Sequence, residues 1–223
     1  MAAPALYIGN KNYSSWSLRP WLALKWGGIP FEEKLIRLGG EGYGKSQIKE
    51  VRAVSPSGRV PALHVNDTVM YESLAICEWA AEQTPSLWPA DPMTRAVARA
   101  AAAEMHAGFF ALRAAMSMNV RRRVDVEPDW NAHTRDDLEQ LFALWGGLRA
   151  RYGEGGPFLF GQRTIADAMF APVATRLRTY KATAPDVAVA YCATIFADEA
   201  FKEWDAASEA EPWTIEQTEK LYR

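Results

Sequence analysis

Cysteine is nearly absent: of 223 residues only Cys77 and Cys192 carry a thiol, far apart and without the spacing of metal ligands. That excludes a disulfide framework and argues against a zinc site, and both read as small core residues in a reducing compartment. Long hydrophobic runs are missing as well, since charge interrupts every apolar stretch well short of the roughly 20 residues that cross a bilayer. The N-terminus lacks the basic start and continuous apolar run of a secretion signal, so a cytoplasmic protein is the expectation. There is no surplus of positive charge either. The formal charge is −2, with nine basic and eight acidic residues in positions 1–82 and sixteen basic and nineteen acidic in the remainder. A nucleic-acid partner is therefore not expected.

What is present is apolar material, 49% hydrophobic with 12% aromatic, enough to bury a core as one large domain or two small ones. The first third alternates short strands with helices and the rest reads as helix and loop, which predicts an α/β unit over residues 1–84 and an all-helical unit over 92–223. Residues 5–8 (Ala-Leu-Tyr-Ile) form a strand candidate, followed by a polar loop from Gly9 to Ser17. A helix is expected over 18–26, with Pro20 in its first turn, where its missing N–H is not needed. Gly27-Gly28 ends it, and residues 31–38 give a second strand before a loop holding Gly39, Gly40, Gly42 and Gly44. Residues 61–65 and 69–71 read as a hairpin turning at Asn66-Asp67. A helix over 74–82 follows and stops at Thr84-Pro85. Beyond a proline-rich linker, one long helix is predicted from Met93 to about Arg123. Further helices fall near residues 134–152, 165–179, 187–197 and 199–207.

The order βαβ then ββα, with a proline opening the third strand, is the plan of a thioredoxin-like domain. Within it, Gly58-Arg59-Val60-Pro61-Ala62-Leu63 resembles the corresponding stretch of glutathione transferases. The resemblance implies a cis Val60–Pro61 bond that turns the Val60 backbone outward, to pair with the cysteinyl part of glutathione as an added strand. Glu72-Ser73 resembles the acid-serine pair that holds the γ-glutamyl group in that family. The chemistry fits: a carboxylate accepts from the ligand's ammonium, while a serine hydroxyl and the N–H groups opening a helix donate to its carboxylate. The same two residues would also serve as a plain helix cap and first-turn acid.

Asn12-Tyr13-Ser14-Ser15-Trp16-Ser17-Leu18-Arg19 resembles the Ser-Ser-Cys-x-x-Arg signature of the zeta class. Ser14 matches the serine that activates the sulfur, Ser15 its neighbour and Arg19 the arginine, while Trp16 stands where zeta enzymes have cysteine. A free thiol has a pKa of about 8.5, and each unit of depression needs about 1.4 kcal/mol of preferential thiolate stabilisation. A hydroxyl donor at a helix start can supply that without a proton-abstracting partner. Ser17 reads as a cap, and Tyr7 or Tyr13 is the alternative donor, with Tyr7 inside the strand. No cysteine lies in this segment, which disfavours thiol-disulfide exchange.

Phe158-Leu159-Phe160-Gly161 and Thr164-Ile165-Ala166-Asp167 resemble the capping motif of the transferase helical domain, a folding element in which Thr164 and Asp167 satisfy two exposed backbone donors. The electrophile site is expected between Ser14 and the long helix, with His106, Phe109, Phe110, Arg113, Met116 and Met118 as candidates to face it. Arg176 or Arg178 falls near the basic residue with which zeta enzymes hold a substrate carboxylate. Arg121-Arg122-Arg123 reads first as a solvated helix end. The resemblance implies glutathione as co-substrate, no metal, a homodimer, and a glutathione transferase acting on small electrophiles. Zeta-like maleylacetoacetate cis-trans isomerisation and a non-catalytic binding or stress-regulatory protein are the alternatives.

Overall fold

The computed structural model describes residues 3–222. A four-stranded sheet runs in the order β2-β1-β3-β4, with β1 (Ala5–Ile8), β2 (Glu32–Leu35), β3 (Ala62–Val65) and β4 (Thr68–Tyr71). β1 pairs parallel with β2 and antiparallel with β3, and β3 pairs antiparallel with β4 through the expected turn at Asn66-Asp67. Alternation in β1 sends Leu6 and Ile8 into the core, the period-2 pattern of a strand with one buried face. On that side lie α1 (Ser15–Trp26) and α3 (Ser73–Gln83), packed against each other. This is a thioredoxin-like domain followed by a helical one.

The helical part comprises α4 (Pro92–Ala107), α5 (Phe110–Ala115), α6 (Ala132–Tyr152), α7 (Ile165–Thr179), α8 (Asp186–Ala197), α9 (Glu199–Glu209) and the short α10 (Glu216–Glu219). α7 is the hub: nearly all of it is buried, and it packs on α1, α4 and α8. Its start is the expected capping box. The Asp167 carboxylate accepts from Thr164 N and Thr164 Oγ1 (2.8 and 2.9 Å) and also from Leu159 N (3.1 Å) and the Tyr191 hydroxyl (3.0 Å). Both cysteines are free and buried, and no helix among the described residues is long and apolar enough to cross a membrane.

Several expectations need correcting. α1 begins at Ser15 rather than near residue 18, so Pro20 falls in its second turn instead of its first. The second strand covers only Glu32–Leu35 of the expected 31–38. α2 (Lys49–Val54) was not legible, because only Val51 of its six residues is buried and no apolar period marks it. The single long helix expected from Met93 to Arg123 is two helices. The chain breaks where Gly108 adopts φ −114°, ψ −162° and Phe109 the left-handed region at φ 54°. Side chains satisfy the broken ends: Arg113 donates to the His106 and Gly108 carbonyls (3.2 and 3.1 Å), and Leu112 N donates to Asp137 (2.9 Å). These bonds answer the orphan groups that two helix termini create.

Candidate active site

A cleft of about 600 Å³ opens between the start of α1, the loop before α2 and the α5–α7 face. Ser14, Ser15 and Trp16 form one wall, Tyr43, Arg59 and Val60 another, and Phe110, Arg113 and Arg176 a third. The Val60–Pro61 peptide is cis.

Ser14 is the N-cap of α1, and its hydroxyl approaches the Ser17 hydroxyl at 2.7 Å. Ser17 is therefore not the cap expected of it; fully buried, it accepts from Gly9 N at 3.1 Å. A buried hydroxyl that accepts from an N–H is left with one proton to donate, and Ser14 Oγ is in reach of it. With Ser17 as the donor of that pair, Ser14 keeps its own proton to direct elsewhere. Ser15 also lines the cleft. Of the alternative donors, Tyr7 packs against His64 with ring centroids 4.6 Å apart and the planes tilted at 50°. Tyr13 donates to Glu219 at 2.5 Å, and burial with that carboxylate raises its hydroxyl above the usual phenol range. A phenol so held is a poor partner for an anion.

The opposite wall is cationic. The Arg19 guanidinium, buried behind the cleft, lies 4.1 Å from the Trp16 ring centroid, and that of Arg113 lies 4.8 Å from it. Burial, helped by the neighbouring Arg176 and Arg113, lowers Arg19 to about 9. Burial beside Arg113 lowers Arg176 to about 10. Arg176 donates to the Arg113 and Met116 carbonyls (3.2 and 2.5 Å), yet its Nε, like Nε and Nη1 of Arg19, has no hydrogen-bond partner among the described residues. Cations that repel one another beside unused donors form an environment that an anion would relieve.

Not every expected residue reaches this cleft. Glu72 and Ser73 lie beyond its lining, where Glu72 adopts φ 98° and its carboxylate accepts from Ser73 N at 2.8 Å. Glu72 also pairs with His106 at 2.8 Å, so His106 faces the acid-serine pair rather than the electrophile. Arg178 points elsewhere, held by Asp205 at 2.5 Å and lying over Phe196. Pro61 and Arg19 are behind the lining, and Phe109 and Met116 belong to the core; Met118 is buried but borders the cleft. Trp16, Tyr43, Arg59 and Thr218 line it without having been singled out for it. Adjacency to Ser15 and Val60 was the available signal for Trp16 and Arg59; Thr218 carried none.

Profiles of known families match two segments, "Glutathione S-transferase, N-terminal domain" over residues 13–83 and "Glutathione S-transferase, C-terminal domain" over 128–214. A probable maleylacetoacetate isomerase of Caenorhabditis elegans is 40% identical over 99 residues, a stretch that spans 44% of each chain. Maleylacetoacetate isomerase of Pseudomonas aeruginosa is 31% identical over 179 residues, 75% of this chain and 78% of that one. Among solved structures, the holo form of a bacterial zeta-class glutathione S-transferase, maleylpyruvate isomerase, superposes with a TM-score of 0.69. It is 26% identical and covers 93% of this chain and 98% of the other.

Proposed function

Because this chain belongs to the glutathione S-transferase family and is most like its zeta class, we propose that it binds glutathione along the Val60 edge and stabilises the thiolate with the Ser14 hydroxyl. That thiolate then attacks a small anionic electrophile held by Arg113 and Arg176. The observation that carries this reading is one cleft lined by Ser14, Ser15, Val60, Arg113 and Arg176 together. The helix start supplies a second source of stabilisation, since Ser14 stands at the N-terminus of α1, where the dipole favours negative charge. Glu72 and Ser73 offer the complementary pair for the γ-glutamyl end.

Glutathione supplies the nucleophile, so this chain's contribution is to position the reactants and stabilise charge. Attack on a carbon–carbon double bond conjugated to a carbonyl forms a C–S bond and moves the π pair onto the carbonyl oxygen. The former double bond can then rotate. Return of the electron pair restores the double bond in the other geometry and expels the thiolate, so glutathione is not consumed. In this reading Arg113 and Arg176 balance both the substrate carboxylate and the oxygen anion that forms. These cations favour the isomerase reading over simple conjugation of neutral electrophiles. A homodimer, a cytoplasmic setting and the division of the chain at residues 1–84 and 92–223 are part of the same proposal.

The test is retention on immobilised glutathione, followed by rates with a maleyl-type dicarboxylate and with a neutral haloarene. Turnover of the first exceeding the second supports the isomerase; retention without turnover of either would leave a binding protein. Arg176→Gln should raise KM for the dicarboxylate by about tenfold or more, the value of a charge-assisted hydrogen bond, and leave the neutral substrate within about twofold. Equal losses on both substrates would remove Arg176 from substrate binding.

A further inference from the structure

Lys11 and Asn12, in the loop that delivers Ser14, are held by residues of the helical half. Glu211, 6% exposed, lies just beyond α9. Its carboxylate accepts from the backbone N–H of Lys11 at 2.6 Å and of Asn12 at 3.1 Å, residues 200 and 199 positions away. The Lys11 carbonyl accepts from Trp204 Nε1 (3.0 Å) and the Asn12 carbonyl from Val120 N (3.1 Å). The Asn12 amide group is used at both ends, donating to Asn119 Oδ1 (2.9 Å) and accepting from Arg121 N (2.9 Å). Arg121 secures the same segment from outside, donating to the Glu211 carbonyl and to that of Trp213 (2.9 Å).

Two residues of loop thus have their backbone groups and the Asn12 amide met by the helical half, while the Lys11 ammonium pairs with Glu33 of β2 at 2.9 Å, and the next residues are Tyr13 and Ser14. Ser14 N and Tyr13 N both bond back to Asn10 O (2.8 and 3.1 Å), which makes the segment one tight turn. A shift at Lys11 and Asn12 therefore has no slack in which to dissipate before it reaches the Ser14 hydroxyl. Donors to a developing anion lose their effect over displacements well under 1 Å, since hydrogen-bond strength falls steeply with distance and angle.

We propose that Glu211 is a positioning residue for thiol activation: by holding the Lys11 and Asn12 amides it fixes the direction of the Ser14 hydroxyl toward the sulfur. The assignment rests on Ser14 being the thiolate donor. Glu211 is not among the residues that line the cleft. A carboxylate suits the task because its two oxygens can each accept one of the two parallel N–H groups. Burial raises this carboxyl above the usual range, while the two backbone N–H bonds and the nearby Arg121 and Lys11 act the other way.

The experiment titrates the thiol of bound glutathione by its ultraviolet thiolate absorbance in the full-length protein, alongside glutathione affinity. Glu211→Gln keeps the volume but only one acceptor oxygen. It should move the titration midpoint upward by about half to one unit, which is about three- to tenfold less thiolate at pH 7, with glutathione Kd within about twofold. Glu211→Asp should fall between it and the parent, and Glu203→Gln, at an exposed pair with Lys25, should not move the midpoint. An unchanged midpoint in Glu211→Gln, when Ser14→Ala does shift it, overturns the role of Glu211 alone. No shift in Ser14→Ala overturns the serine reading on which it rests. Should Glu211→Gln fail to fold, Arg121→Gln loosens the same clamp from outside, and an unshifted midpoint there is equally fatal to the proposal.

Discussion

Ser14→Ala should lower kcat/KM at pH 7 by about 10- to 150-fold, the value of a hydrogen bond to a charged group at about 1.5–3 kcal/mol. The loss should be one of ionisation. The bound thiol should titrate about one to two units higher, and the variant should recover most of its rate once the pH passes that new midpoint. Glutathione affinity should change little, because the Val60 edge and the Glu72-Ser73 pair are untouched. Ser15→Ala is expected to cost about threefold or less, since the Gly9–Ser17–Ser14 chain ends on Ser14 and hydrogen-bonded chains polarise their members. A larger loss in the Ser15 variant would move the donor to that residue. Full activity in both would leave the α1 terminus as the source of stabilisation.

Asp167→Ala should be the most damaging substitution for the fold. Four donors converge on this carboxylate in the buried start of α7, and leaving them unpaired should cost about 3–5 kcal/mol. At about 2–4 °C per kcal/mol for a chain of this length, Tm should fall by about 6–20 °C. The effect also has a pH signature. Burial raises the Asp167 carboxyl from an ordinary 3.8 to about 6, against the pull of the four hydrogen bonds. The folded state therefore holds the proton more tightly than the unfolded one. The stability linked to that proton is complete below about pH 4 and is lost as the pH rises through 6. The gap in Tm between parent and variant should accordingly be wider at pH 4 than at pH 7. A gap that widens toward pH 7 would mean that Asp167 is ionised in the fold and its carboxyl lowered instead.

The parts legible in the sequence were those whose signals are local. β1 matches its expected bounds residue for residue and the hairpin is off by one residue at each strand's start, because alternation and turn chemistry act over a few neighbours. Thr164 and Asp167 are three residues apart and announce their own capping box. Ser14, Ser15 and Val60 belong to short contiguous motifs, and the cleft joins them. What could not be read depends on distant partners. The break at Gly108-Phe109 is stabilised by Asp137 and by Arg113 turning back, neither of which leaves a mark on helical periodicity. His106 was expected at the electrophile but pairs with Glu72 because the end of α4 comes to the start of α3. Arg121 and Arg122, read as a solvated run, donate to the carbonyls of residues 211, 213, 218 and 219.

The span of 200 positions between Lys11 and Glu211 has a consequence for the order in which a nascent protein acquires its properties. Synthesis proceeds from the N-terminus and domains generally fold as they emerge, so the strands and helices around Val60 can assemble while the ribosome is still making the helical half. The acceptor for the Lys11 and Asn12 amides is translated only about 200 residues after them, and contacts of such separation form late. Tripeptide binding should therefore precede turnover during biosynthesis. Fragments ended by a premature stop shortly before position 211 would be sinks for glutathione and not catalysts.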